Sequence, residues 1–142
     1  MEEQTKNDNG FRFSLPIRVG IRDINYGGHV GNDVYLSYCQ EVRIAYLRHF
    51  DCSELDIGGC GIILVRSELD YKQELFHGDE VDLFCRISSM KNTSFVMEYL
   101  IEKDGKAAMT ANTVLLAFDY AARKITKVPE AFRSAVTAYE SL

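Results

Sequence analysis

An α+β fold, in which one antiparallel sheet covers one long helix, is predicted by three features of the sequence. Apolar residues recur at helical spacing at positions 35, 38, 39, 42, 45 and 46. After Cys60 the apolar period changes to two. Hairpin signals then follow in series at His77-Gly78-Asp79, Lys91-Asn92-Thr93 and Asp104-Gly105.

Taken in order, Met1 to Gly10 is polar and poor in apolar residues, and reads as a loose tail before a single domain over 11–142. Phe11 to Val19 is a short strand. A turn rich in glycine, carboxylate and histidine follows, and from Asn32 to about Phe50 the spacing predicts an amphipathic helix of about five turns. Asn32 or Asp33 suits its N-cap, because either side chain accepts from orphan first-turn N–H groups. Asp51 to Gly59 is a loop. Ile63, Val65, Leu69 and Tyr71 alternate with Arg66, Glu68, Asp70 and Lys72, which predicts a half-buried strand from about Ile62 to Leu75. Further strands are expected over Val81 to Ser89, Ser94 to Lys103 and Ala107 to Asp119. Pro129 suits a first helical turn, so Glu130 to Tyr139 closes the chain as a short helix.

Composition narrows the function. A net charge of −5 gives nothing that points to bulk electrostatic capture of nucleic acid, and the absence of a helix-turn-helix segment argues against a DNA-binding regulator, while a local basic pocket for a phosphorylated ligand stays open. The four cysteines show neither C-x-x-C nor zinc-ligand spacing, so no metal or redox cofactor is expected. With neither a signal-type apolar region nor a spanning segment, the expectation is a reduced, cytoplasmic protein without a membrane partner.

The stretch Ile21 to Tyr35 carries the chemistry. Gly27, Gly28 and Gly31 allow backbone to approach a ligand, and a helix opening just beyond them directs unpaired N–H groups and a positive dipole end there. Such a turn suits a polarised carbonyl or an oxyanion.

Three local patterns carry a family resemblance: Gly28-His29-Val30 followed by Asn32 and Tyr35, Glu41-Val42-Arg43 midway along the helix, and Tyr71 followed by Gly78-Asp79-Glu80-Val81. Together with the element order they resemble the hot-dog fold acyl-CoA thioesterases of the 4-hydroxybenzoyl-CoA thioesterase-like group. The resemblance implies a curved antiparallel sheet wrapped around the helix and a homodimer or homotetramer with sites at the subunit interface. It also implies an acyl-CoA substrate, with coenzyme A entering only as part of that substrate. The family turn reads Asp-x-Asp-x-x-Gly-His-Val-x-Asn, and its second aspartate is the catalytic carboxylate. Alignment on Gly28-His29-Val30 places Asp23 on the first aspartate and Asn25 on the second.

Thioester hydrolysis requires a polarised carbonyl and an activated water or an attacking carboxylate. Backbone N–H groups around Gly27, Gly28 and His29 are the candidate oxyanion donors; alternatively these glycines only permit a sharp turn. Asn25 cannot titrate, but its NH₂ can orient a water or donate to the thioester oxygen, unless it is simply an Asx-turn residue. His29 is either a base near neutral pH or a hydrogen-bond post. Glu41 borders the apolar stripe with no Lys or Arg three or four positions away; partial desolvation there would raise its pKa toward that of a general base, and the alternative is a glutamate reaching solvent. Asp33 is a further carboxylate, with helix capping as its alternative role. Tyr26, Tyr35, Tyr38 and Tyr71 are candidates for an acyl tunnel or for plain core. Arg66, Lys91, Arg123 and Lys124 are possible phosphate-binding cations and Thr93 and Ser94 neutral donors, with solvated surface as the alternative. The reading is an acyl-CoA thioesterase with Glu41 as base; its rival is a non-catalytic acyl-CoA or metabolite-binding protein. Association is expected because Leu36 and Leu47 lie on the helix face opposite the stripe.

Overall fold

The computed structural model describes residues 6–142. Six strands form one antiparallel sheet: β1 (Phe13–Arg18), β2 (Gly61–Tyr71), β3 (Glu80–Met90), β4 (Ser94–Lys103), β5 (Lys106–Asp119) and the two-residue β6 (Lys124–Ile125). The spatial order is β1-β3-β4-β5-β2, with β6 paired to Phe118 and Asp119 of β5. Two helices complete it, α1 (Val34–His49) and α2 (Glu130–Glu140). This is the hot-dog arrangement, a sheet wrapped around one central helix.

Alternation places one face of the sheet on α1. Val81, Leu83, Cys85 and Ile87 of β3, Phe95, Met97 and Tyr99 of β4, and Met109, Leu115 and Ala117 of β5 pack against Tyr35, Tyr38, Cys39, Val42 and Tyr46. Phe132 and Val136 of α2 close one end of that core. On the opposite face Phe11, Phe84 and Leu100 form a small separate cluster.

Several expectations change in detail. Residues 1–5 of the expected tail lie outside the described residues. Residues 7–11 form a turn with the Asn7 N–H bonded to the Phe11 carbonyl at 2.8 Å, and Arg86 donates to the Gly10 carbonyl at 3.0 Å. Pro129 occupies the N-cap of α2 with extended ψ rather than the first helical turn. Asp33 is the N-cap residue of α1, yet its side chain makes no capping bond.

Leu47 is fully buried, against expectation, because the chain after α1 folds back over that face: the Phe50 and Cys52 N–H groups both bond to the Leu47 carbonyl, and Arg43 reaches Glu54 at 3.3 Å. Leu36, about two turns before Arg43, lies short of that cover and stays 41% exposed. Strand β2 departs from simple alternation. A bulge between Leu64 and Arg66 adds one residue, so Ile62 and Leu64 face the helix before it, and Ser67, Leu69 and Tyr71 after it. Ile63 and Val65 therefore do not share a face with Leu69 and Tyr71.

Candidate active site

The turn joining β1 to α1 is built by its own backbone. The Val19 N–H and carbonyl bond to Asp79 and Gly78, both at 2.9 Å, which fixes the exit from β1 beside the loop before β3. One 3₁₀ turn, Ile21–Asp23, follows. The Asn25 N–H then bonds to the His29 carbonyl at 2.9 Å and the Gly28 N–H to the Asn25 carbonyl at 3.1 Å, closing a tight loop in which Gly28 has φ 82°. The Val30 N–H donates to the Leu75 carbonyl at 2.8 Å, bolting the turn to the segment after β2.

Asn25 does form the Asx turn, its Oδ1 accepting from the Gly27 N–H at 2.9 Å. The N–H groups of Gly27 and Gly28 are thus consumed in closing the loop, which removes two of the expected oxyanion donors. The His29 N–H and the Asn25 NH₂ have no acceptor among the described residues. A Cβ on Gly27 would lie 3.1 Å from His29 Nε2 and 3.2 Å from Asn25 Oδ1, so the two side chains flank one point and glycine leaves it open.

His29 Nδ1 lies 3.1 Å from the Val30 carbonyl. A carbonyl only accepts, so this bond places the proton of the neutral ring on Nδ1 and the lone pair on Nε2. Beside it is a cavity of about 300 Å³ lined by His29, Val30, Asn32, Tyr35, Tyr71, Lys72, Gln73 and Glu74. The rings of Tyr35 and Tyr71 meet edge to face with centroids 5.1 Å apart, and the Tyr71 hydroxyl donates to the Asn32 carbonyl at 3.0 Å. Burial first, then Tyr71 and Glu74, push the Tyr35 hydroxyl up from its ordinary pKa, which keeps it a neutral donor.

The other expected residues are placed differently. Tyr38 is a buried strut: its hydroxyl donates to Asp23 Oδ2 at 2.7 Å, and that oxygen also accepts from the Gly20 N–H at 3.2 Å. Tyr26 sits fully exposed at the tip of the turn. Asp33 is exposed, with Oδ1 folded back over Gly31 on the Asn25 side. Glu41 is exposed on the flank of α1 and lines none of this cavity, so the partial desolvation expected of it is not met within the chain. Arg66 faces away from α1 and pairs with exposed Glu68 at 3.0 Å. Thr93 and Ser94 lie at the far end of the sheet, where Ser94 is in register with Leu116 and Ile63, whereas Tyr71 is in register with Met109. One chain therefore brings together Asn25, Gly27, Gly28, His29, Tyr35 and Tyr71, and leaves Arg66, Thr93 and Ser94 apart.

Lys72, Gln73 and Glu74 are not among the residues expected at the site. The periodicity carries the expected strand on to Leu75, but β2 ends at Tyr71, where the Lys72 and Gln73 N–H groups both bond to the Ala108 carbonyl, at 2.8 and 3.2 Å, and the chain swings across the pocket. No local pattern links position 74 to position 29. Among the described residues no group of three or more His, Cys, Asp or Glu is placed to hold a metal ion, and no helix is long and apolar enough to cross a membrane.

The model of the thioesterase-like superfamily matches residues 19–136. The chain belongs to that superfamily. Among solved structures, a thioesterase of Thermus thermophilus in complex with coenzyme A and zinc is 29% identical, with TM-score 0.80 over 94% of this chain and 97% of that one. A thioesterase-superfamily protein of Jannaschia sp. CCS1 is 22% identical, with TM-score 0.82 over 93% of this chain and 85% of its own. A 1,4-dihydroxy-2-naphthoyl-CoA thioesterase of Synechocystis is 20% identical, with TM-score 0.79 over 87% and 94%. The last two likenesses speak for the fold alone. Membership of the superfamily supports thioester hydrolysis as the general activity.

Proposed function

We propose that this superfamily member hydrolyses an acyl-CoA thioester with His29, rather than Glu41, as the base. The observation that carries this reading is the 3.1 Å contact of His29 Nδ1 with the Val30 carbonyl, which leaves Nε2 as the ring's basic nitrogen beside the cavity lined by Tyr35 and Tyr71. The acyl group occupies that cavity. Water attacks the carbonyl carbon while Nε2 takes its proton, and the oxyanion is held by the His29 N–H and the Asn25 NH₂. Collapse breaks the C–S bond, and the proton on Nε2 passes to the departing thiolate, leaving free coenzyme A thiol and a carboxylic acid, which loses its remaining proton to solvent. Asn25 thus acts as a donor where the family pattern has a carboxylate.

Tyr71, on the edge strand β2, lines the cavity and is 51% exposed, and we propose that a second copy of the chain closes the cavity there. Antiparallel pairing of two β2 edges sets the Tyr71 end of one copy against the Gly61 end of the other. That places the Thr93–Ser94 corner of the second copy near the first copy's pocket, as donors for the coenzyme A portion. A reducing cytoplasmic setting fits four cysteines that are all free. The test is thiol release across short, long and aromatic acyl-CoAs: hydrolysis of at least one is expected, and saturable binding with no hydrolysis by any would favour a binding protein instead.

A further inference from the structure

We infer that Glu74 is the positioning carboxylate of His29, a role that rests on the proposed thioesterase reading. Glu74 Oε1 lies 3.9 Å from His29 Nε2, and both side chains line the same cavity. The backbone sets this pairing. Leu75, fully buried, accepts from the Val30 N–H at 2.8 Å, so residues 74–75 and 29–30 are held side by side. On its other flank the segment is anchored by the Gln73 amide, which donates to the Lys106 and Ala107 carbonyls at 3.2 and 3.3 Å.

At 3.9 Å the contact is too long for a hydrogen bond, so Glu74 acts through charge. While Nε2 is bare, the carboxylate does little for the ring. Once Nε2 has taken the proton of the attacking water, the imidazolium has Nδ1–H on the Val30 carbonyl and Nε2–H facing Glu74, so both its N–H groups meet an acceptor or a negative charge. The attraction exists only after proton transfer and therefore lowers the barrier rather than tightening the ground-state complex. Lys72 is the opposing charge on the cavity wall, and the Tyr35 and Tyr71 hydroxyls are its neutral groups. With Asn25 where the family pattern has a carboxylate, Glu74 supplies the negative charge from across the pocket.

The pair is partly exposed, His29 at 36% and Glu74 at 66%, so solvent screens it, and Glu74→Gln is expected to lower kcat about threefold while leaving KM unchanged. Glu74→Asp should restore most of the loss, and 1 M salt should shrink the difference between wild type and Glu74→Gln. In a His29→Gln background Glu74→Gln should cost nothing further. An unchanged kcat, or an equal loss with and without His29, would overturn the assignment. A second readout needs no turnover: site-resolved mass spectrometry after brief diethyl pyrocarbonate treatment should find His29 modified faster in Glu74→Gln than in wild type, with exposed His77 as reference. An unchanged rate overturns the coupling. Faster modification in a protein that hydrolyses no acyl-CoA would leave the coupling standing and remove the thioesterase reading.

Discussion

In the proposed mechanism His29 takes its role from one backbone carbonyl. The Val30 oxygen fixes the ring tautomer at 3.1 Å, and the Tyr35–Tyr71 floor gives the lone pair something to act beside. His29→Gln keeps a side chain of similar reach without a base, and is expected to cost about 10²–10⁴ in kcat, whereas Glu41→Gln should leave turnover within about twofold. Steady-state kinetics on the best acyl-CoA checks both. A second residue matters for stability instead. Arg43, 6% exposed, donates to the Tyr99 hydroxyl at 2.9 Å and to Glu54 at 3.3 Å, and Tyr99 in turn meets Thr113 Oγ1 at 2.8 Å. Arg43→Ala strands those partners, and urea unfolding should register a loss of about 3 kcal/mol. At this scale the sequence already points to Asn25, His29 and the glycines, because they are local to one turn. Glu74 is illegible there: its proximity to His29 is made by the pairing of Val30 with Leu75, some 45 positions apart in the chain. The exposure of Glu41 in the single chain is illegible for a related reason, since a helical wheel cannot say what covers a flank.

Elements are legible wherever period and turn chemistry agree. Helix α1, the hairpins β3–β4 and β4–β5, and α2 fall close to their expected spans. The β2 bulge escapes notice because its extra residue, Val65, is as apolar as its neighbours and leaves the pattern looking regular. The two-residue β6 carries too little signal. Helix α2 makes a pH-dependent prediction through Glu140, whose Oε2 accepts from the Tyr46 hydroxyl at 2.6 Å and the Ile87 N–H at 3.3 Å. Burial nonetheless raises its carboxyl above the ordinary range, outweighing those two bonds and nearby Arg86 and Arg12. Below that range the folded and unfolded chains both hold the proton. As pH rises the unfolded chain loses it first, so stability falls until the folded carboxyl has titrated, and is flat beyond. Thermal melts between about pH 4 and pH 7 should show this fall in wild type and its absence in Glu140→Gln.

At the scale of the whole molecule, β2 is an 11-residue edge strand with Val65 52% and Leu64 38% exposed, and Leu36 and Ile44 lie open on α1. This unpaired edge, apolar in its first half, is the surface on which we propose the second copy pairs. We expect light scattering to give twice the chain mass for wild type and a monomer for Val65→Lys. The same variant should lose thioesterase activity if the second copy closes the pocket. Fold and general chemistry are readable because sheet, helix and glycine turn are each encoded in contiguous residues; the pocket is not, because its wall comes from the far side of the sheet. The most direct test of the central claim is thiol release by wild type and His29→Gln on the same acyl-CoA panel. The account predicts hydrolysis of at least one thioester by wild type and a loss of at least about a hundredfold in His29→Gln. Full turnover in His29→Gln, with activity abolished in Glu41→Gln or Asp33→Asn, would contradict it.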